Sequence, residues 1–193
     1  MTDVIFYDSV LRRNMANLET CRFGILTASD RASRGVYEDK SGPEIEEFLQ
    51  EILLTPWEIS RCLVADKKED IEKGMIDLID NKMCSVVITT GGTGPAIRDV
   101  TPEATEGICD RMLPGFGEEM RRISLRYVPT AVLSRQTAGI RGKCLVINLP
   151  GSPRSIREIL EKIFASIPYC VDLIGGPYID TNPEIIKSYR PKK

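Results

Sequence analysis

A chain of 193 residues, 42% hydrophobic and 28% charged, can bury a substantial core without disulfide or metal staples, and that balance favours neither disorder nor a membrane class. A formal net charge of −2 provides no broad basic field for nucleic acid. The absence of histidine removes the imidazole base of Ser-His-Asp and Cys-His nucleophile systems, along with the zinc sites that use His.

Chemistry on this chain therefore has to rest on carboxylates, Lys or Arg, hydroxyls, backbone amides and a hard cation. Cys21, Cys62, Cys84, Cys109, Cys144 and Cys170 are scattered with no CxxC spacing, which predicts buried reduced thiols. The opening "MTDVIFYDSV" lacks a basic n-region followed by an apolar run, and no apolar stretch approaches the roughly 18 residues of a membrane span. A cytoplasmic protein is expected.

Residues 1–20 carry mixed charges without a clear period and are expected to be an N-terminal extension; residues 21–193 are expected to form one domain. "RFGILTAS" (22–29) is an apolar run ending in polar turn residues, which predicts a buried strand. In "PEIEEFLQEIL" (43–53), Ile45, Phe48, Leu49, Ile52 and Leu53 recur at helical spacing, with Ser41 placed as the cap. "WEISRCLVA" (57–65) reads as a second strand. "KEDIEKGMIDLID" (68–80) reads as an amphipathic helix opened by Glu69 and Asp70 near its positive end.

"SVVITT" (85–90) predicts a third strand. A helix is expected from Thr101, with Thr101 as cap and Pro102 in the first turn, and "GFGEEMRRISLRYV" (115–128) continues helically. "KCLVINLPGSP" (143–153) reads as a strand that breaks into a Gly-Pro loop. "SIREILEKIFASI" (155–167) is the next helix, followed by a short apolar helix around residues 171–174. Strands alternating with helices imply βαβ units and a mainly parallel sheet covered on both faces. Ligands of such sheets bind outside the strand carboxyl ends, so "TASDRAS", "VADKKED", "TTGGTGPAIRDV" and "NLPGSPRS" are expected to converge on one crevice.

Gly91, Gly92 and Gly94 permit positive φ and leave backbone N–H groups uncovered for a phosphate, and the helix from Thr101 can add its positive end. No Lys-Ser/Thr follows, so this is not a Walker A loop, and no third glycine completes the dinucleotide fingerprint. Read without those neighbours, a glycine pair is equally a tight strand-to-helix turn. Asp66 ends the second strand and Asp99 follows the glycine loop. Either alone is commonly a cap or a solvated charge, yet together they form a carboxylate site suited to Mg²⁺ shared with substrate phosphates. Phosphate transfer needs positioning and charge neutralisation more than an imidazole base.

"TTGGTGPAIRDVTPEAT", "SDRASRGVYEDKSGP", "PGFGEEMRRISL", "TAVLSRQTAGI" and "INLPGSP" closely resemble the molybdopterin adenylyltransferases, the Mog branch of the molybdenum-cofactor biosynthesis family, from about Phe23 to Pro191. The resemblance implies a three-layer α/β/α sandwich with a mainly parallel sheet, usually a homotrimer. It implies Mg²⁺-dependent transfer of AMP from ATP to the terminal phosphate of molybdopterin, with pyrophosphate released and the product handed to a molybdate-inserting partner. Asp66 and Asp99 match the family's two essential acidic positions, Asp66 on the metal–triphosphate side and Asp99 orienting the pterin phosphate. Gly91, Gly92, Thr93 and Gly94 would cradle phosphates, with Ser29, Asp30, Pro102 and Glu103 flanking the nucleotide. Ser134 and Arg135 would meet the pterin phosphate, and Asn148, Pro150, Gly151 and Ser152 would complete the crevice. Two alternatives stay open on the same motifs: a non-catalytic molybdopterin-binding module, and a nucleotide pyrophosphate hydrolase of the same fold.

Overall fold

The computed structural model describes residues 19–191, so most of the expected extension lies outside the described residues. Eight elements frame the sheet and its first crossovers: β1 (Cys21–Ala28), α1 (Asp30–Ser33), α2 (Ser41–Ile52), β2 (Trp57–Val64), α3 (Lys68–Ile76), β3 (Val86–Thr90), α4 (Thr101–Ile108) and β4 (Arg111–Met112). Then come α5 (Pro114–Ser124), β5 (Ala138–Arg141), β6 (Cys144–Leu149), α6 (Pro153–Ile163) and α7 (Ile167–Leu173). The sheet runs β2-β1-β3-β6-β5-β4. β2, β1, β3 and β6 are mutually parallel, while β5 is antiparallel to both of its neighbours.

Alternation along the strands builds two cores. Phe23, Ile25, Val86, Ile88, Leu145 and Ile147 face one side, where α2, α5, α6 and α7 pack; Leu26, Val87 and Val146 face the other, against α3 and α4. The three-layer expectation is met. α2 buries Ile45, Phe48, Leu49 and Ile52, a stripe at the i, i+3, i+4, i+7 spacing read from the sequence. All six cysteines are free, but only Cys21, Cys84 and Cys144 are buried as expected, while Cys62, Cys109 and Cys170 are half-buried; burial pushes the Cys21 thiol up to about 12 and the Cys84 thiol up to about 11.

Several local expectations need correction. Ser41 does not cap α2. The Asp39 carboxylate does so, its Oδ1 accepting from the Ser41 and Gly42 amides at 2.9 and 3.2 Å, while Ser41 Oγ donates to the Gly151 carbonyl at 2.8 Å. Thr101 is likewise no cap: its hydroxyl donates to the Gly91 carbonyl at 2.9 Å, although Pro102 does occupy the first turn. The helix expected to continue to residue 128 ends at Ser124 and gives way to a 3₁₀ segment, Pro129–Leu133. The second strand forms as expected, as β2, a half-exposed strand at the sheet edge.

Asp39 carries a third hydrogen bond, from Thr27 Oγ1 to its Oδ2 at 2.7 Å. Asp39→Ala removes a helix cap and leaves the nearly buried Thr27 hydroxyl without that partner. A loss of about 2 kcal/mol is expected, read as a lower urea midpoint at constant m value. Asp39→Asn, which retains a capping oxygen, should lose less; a change below about 0.5 kcal/mol for Ala would contradict this role.

Candidate active site

The register sets the four parallel strands level at their carboxyl ends: Ala28 pairs with Val64, Thr27 with Thr90, and Thr90 with Leu149. Strand order reverses at β1, with β2 on one side and β3 on the other. The crevice at such a switch point is where open parallel sheets bind ligands, and the loops after β1 and β3 line it. Convergence of the four polar loops follows directly from this topology.

The glycine loop is held from below. Gly91 lies at φ 94° and Gly92 at φ 63°, and a Cβ on Gly91 would stand 2.3 Å from the Ala28 carbonyl oxygen. Only glycine permits that approach. The Gly91 amide donates to the Leu149 carbonyl at 3.2 Å and so is not free for a phosphate, contrary to expectation. The next three amides, of Gly92, Thr93 and Gly94, donate to no described residue. Three successive unpaired N–H groups at the mouth of a buried strand form an anion cradle. The Thr93 side chain is buried and lies within the fold rather than open to the crevice.

Asp66 and Asp30 hold each other's loops. The Asp30 amide donates to Asp66 Oδ2 at 3.0 Å, and the Asp66 amide to Asp30 Oδ1 at 3.2 Å. Asp66 Oδ1 and Asp30 Oδ2 have no hydrogen-bond partner among the described residues, so two hard oxygens remain at adjacent strand ends. Among the described residues no three His, Cys, Asp or Glu side chains gather into a full metal cage. The donor set fits Mg²⁺ held through one or two carboxylates and completed by phosphate and water. Ser29 caps α1, its Oγ accepting from the Ala32 amide at 3.2 Å.

Asp99 closes its own loop, with Oδ2 accepting from the Ala96 amide at 3.0 Å. Two strand spacings, roughly 10 Å, separate the β2 end that carries Asp66 from the β3 end that begins the glycine loop. Asp30 lies between them.

Arg135 differs from its expected role. Its Nε donates to the Gly94 carbonyl at 2.9 Å, Nη2 donates to the Asp99 carbonyl, and Nη1 pairs with the Glu103 carboxylate. The Arg135 amide adds a bond to the Thr93 carbonyl at 2.8 Å. The guanidinium thus braces the glycine loop and α4 instead of standing free for the pterin phosphate. Burial pushes the Glu103 carboxyl up, but the hydrogen bond from Arg135, a backbone hydrogen bond and the charges of Arg135 and Lys68 outweigh it and hold the group below its ordinary range.

Asn148 also departs from expectation. It is fully buried, donating to Thr89 Oγ1 at 3.0 Å and Thr105 Oγ1 at 2.8 Å, and so ties β6 to β3 and α4 behind the crevice. Pro150 and Gly151 are placed by their carbonyls, which accept from Thr90 Oγ1 and Ser41 Oγ at 2.8 Å each; Ser152 caps α6. Pro102 is buried in the first turn of α4, and Ser134 lies half-buried beside Arg135. Sequence reasoning assigns Thr101 only the role of a cap, and it singles out neither Asp39 nor Thr105; Asp39 does carry a local signal, an acidic residue just ahead of a helical stripe.

Residues 24–169 match the family model described as "Probable molybdopterin binding domain". A molybdopterin adenylyltransferase of Helicobacter pylori is 59% identical over 176 residues, covering 91% of this chain and 100% of the relative. The chain belongs to the molybdopterin adenylyltransferase family. Another family member, from Escherichia coli, is 50% identical over 187 residues, covering 91% of this chain and 96% of its own. The solved Mog protein of Mycobacterium ulcerans superposes with a TM-score of 0.75 at 35% identity, covering 81% of this chain and 100% of that one. The glycine loop with its Arg135 brace, Asp99, and the Asp66–Asp30 pair all lie at the carboxyl end of the sheet around the switch point. No described helix is long and apolar enough to cross a membrane.

Proposed function

We propose that this chain, through one domain spanning residues 21–193, transfers AMP from ATP to the terminal phosphate of molybdopterin. The observation that carries this reading is the row of unpaired amides on Gly92, Thr93 and Gly94, set between the carboxylates of Asp66 with Asp30 and of Asp99. That arrangement receives anionic oxygens and excludes little else. A pterin phosphate oxygen attacks the α-phosphorus of ATP; the bond from that phosphorus to the oxygen bridging to the β-phosphate breaks, and pyrophosphate leaves with the electron pair.

Asp66 and Asp30 would hold Mg²⁺, which supplies charge neutralisation on the triphosphate. The cradle amides bind phosphate oxygens without a mobile cation, and Arg135 keeps those amides in place by fixing the Gly94 and Asp99 carbonyls. Asp99, whose Oδ1 has no hydrogen-bond partner among the described residues, would orient the attacking phosphate through a bridging water or a shared cation, since carboxylate and phosphate are both anions. No proton has to move, because the nucleophile is already an anion; this agrees with a chain lacking histidine.

The protein acts in the cytoplasm as a homotrimer and hands the adenylylated pterin to a molybdate-inserting partner. Support for assembly comes from Leu125, Tyr127, Val128, Val132 and Leu133, exposed together after α5. Pyrophosphate release distinguishes transfer from hydrolysis: ATP with Mg²⁺ should yield pyrophosphate only when molybdopterin is added. Equal release without pterin would overturn the reading.

A further inference from the structure

Four described residues, Glu46, Glu103, Gln136 and Asn148, each bury a side-chain oxygen that has no hydrogen-bond partner, and of these only Gln136 makes no side-chain hydrogen bond or ion pair at all. It is 2% exposed, and its carboxamide oxygen Oε1, shielded from solvent, accepts no hydrogen bond. Its backbone, in contrast, is pinned: Arg121 Nη1 donates to the Gln136 carbonyl at 2.8 Å, and that carbonyl passes so close to Gly117 that a Cβ there would stand 2.4 Å away. A buried amide oxygen without a partner is costly, so a site that keeps one normally satisfies it in the working state. Exchanging the amide oxygen and nitrogen would only replace an orphan acceptor with an orphan donor.

Gln136 lines a cleft of about 390 Å³ beside the glycine-loop brace, shared with Pro102, Glu103, Pro114, Arg121 and Arg135. The cleft lies on the β5 side of the loop, away from the Asp30–Asp66 pair beyond β1. A carboxamide carries a donor and an acceptor side by side, so it pairs in two points with a heterocycle edge that does the same. A pterin lactam, with a ring N–H next to a carbonyl, has that edge. Adenine has a comparable one, but the carboxylate pair suited to the Mg-triphosphate lies on the far side of the loop.

We propose that Gln136 is a substrate-specificity residue whose carboxamide, enclosed in the ligand-free fold, turns into this cleft to seat the lactam edge of the pterin ring. The inference rests on the adenylyltransferase reading for its ligand and extends it by placing the ring. The test uses the full chain under anaerobic conditions, with molybdopterin and Mg-ATP titrated separately into wild type, Gln136→Leu and Gln136→Glu. Gln136→Leu keeps the buried volume and removes both hydrogen-bonding groups; Gln136→Glu, as a carboxylate, keeps the acceptor and loses the donor. Each is checked for an unchanged thermal midpoint.

Expected results are a Kd for molybdopterin raised about tenfold to a hundredfold by Leu, a smaller rise for Glu, and an unchanged Kd for Mg-ATP. In turnover the effect should fall on KM for pterin more than on kcat. Weakened Mg-ATP binding with pterin binding intact would assign the carboxamide to adenine and overturn the proposal. Unchanged affinity for both ligands in folded Gln136→Leu would overturn it as well, leaving an internal water as the missing partner. Wild type that binds pterin in the expected pattern but forms no product counts against the transferase reading alone.

Discussion

Asp99→Asn is expected to lower the rate of AMP transfer by about two to three orders of magnitude while leaving the fold intact. Asparagine keeps the oxygen that accepts from the Ala96 amide, so the loop retains its closing bond and only the charge at the reacting centre is lost. Asp66→Asn should cause a loss of similar size by another route. Its retained oxygen still accepts from the Asp30 amide, but the hard anionic ligand is gone, so the Mg²⁺ concentration for half-maximal rate should rise. Steady-state rates across a Mg²⁺ titration separate the two. A decrease below tenfold in either folded variant would remove that carboxylate from the site.

The second large effect is on stability. Gly91→Val is expected to cost about 3 to 5 kcal/mol, because it sums a left-handed backbone and a collision with main chain. At φ 94° a branched side chain is strained wherever it points, and the new Cβ would lie 2.3 Å from the Ala28 carbonyl oxygen, which cannot turn aside without breaking β1. Gly115→Ala serves as the control. No neighbour lies within 4 Å of its ideal Cβ, and its place in α5 favours alanine, so its urea midpoint should stay level or rise. Near-equal midpoints for Gly91→Val and wild type would mean that β1 and the loop are not locked together as described.

Much of the fold was legible because the buried strands carry their own signal. β1, β3 and β6 carry short apolar cores (residues 23–26, 86–88 and 144–147) that stop at polar residues and turns, and the stripes of α2 and α6 recur at helical spacing. Strand order was not legible, since the position of β3 beside β1 depends on which side each crossover takes. β4 and β5 escaped notice for another reason: two and four residues are too few to display a period.

The site followed the same division. Glycines and carboxylates announce themselves by type, whereas hydroxyls and guanidinium groups are assigned by tertiary partners. Ser41 reads as a cap by preference, yet its hydroxyl bonds a carbonyl 110 residues away. Arg135 reads as a free cation, yet its partners Gly94, Asp99 and Glu103 lie 41, 36 and 32 residues upstream. Asn148 reads as a loop polar residue and is instead a buried tie between β6, β3 and α4. In each case the residue type was right for the neighbourhood, and the bond it makes could not be read from nearby sequence.

Transfer of AMP to a pterin phosphate in the crevice is decided by product analysis. Purified protein, Mg-ATP and freshly prepared molybdopterin are combined anaerobically, and adenylylated pterin and pyrophosphate are both quantified. The two products should form one to one, with none when Mg²⁺ is withheld and almost none from Asp66→Asn or Asp99→Asn. Tight pterin binding by the wild type without adenylylated product would contradict the transfer and identify the crevice as a binding site only.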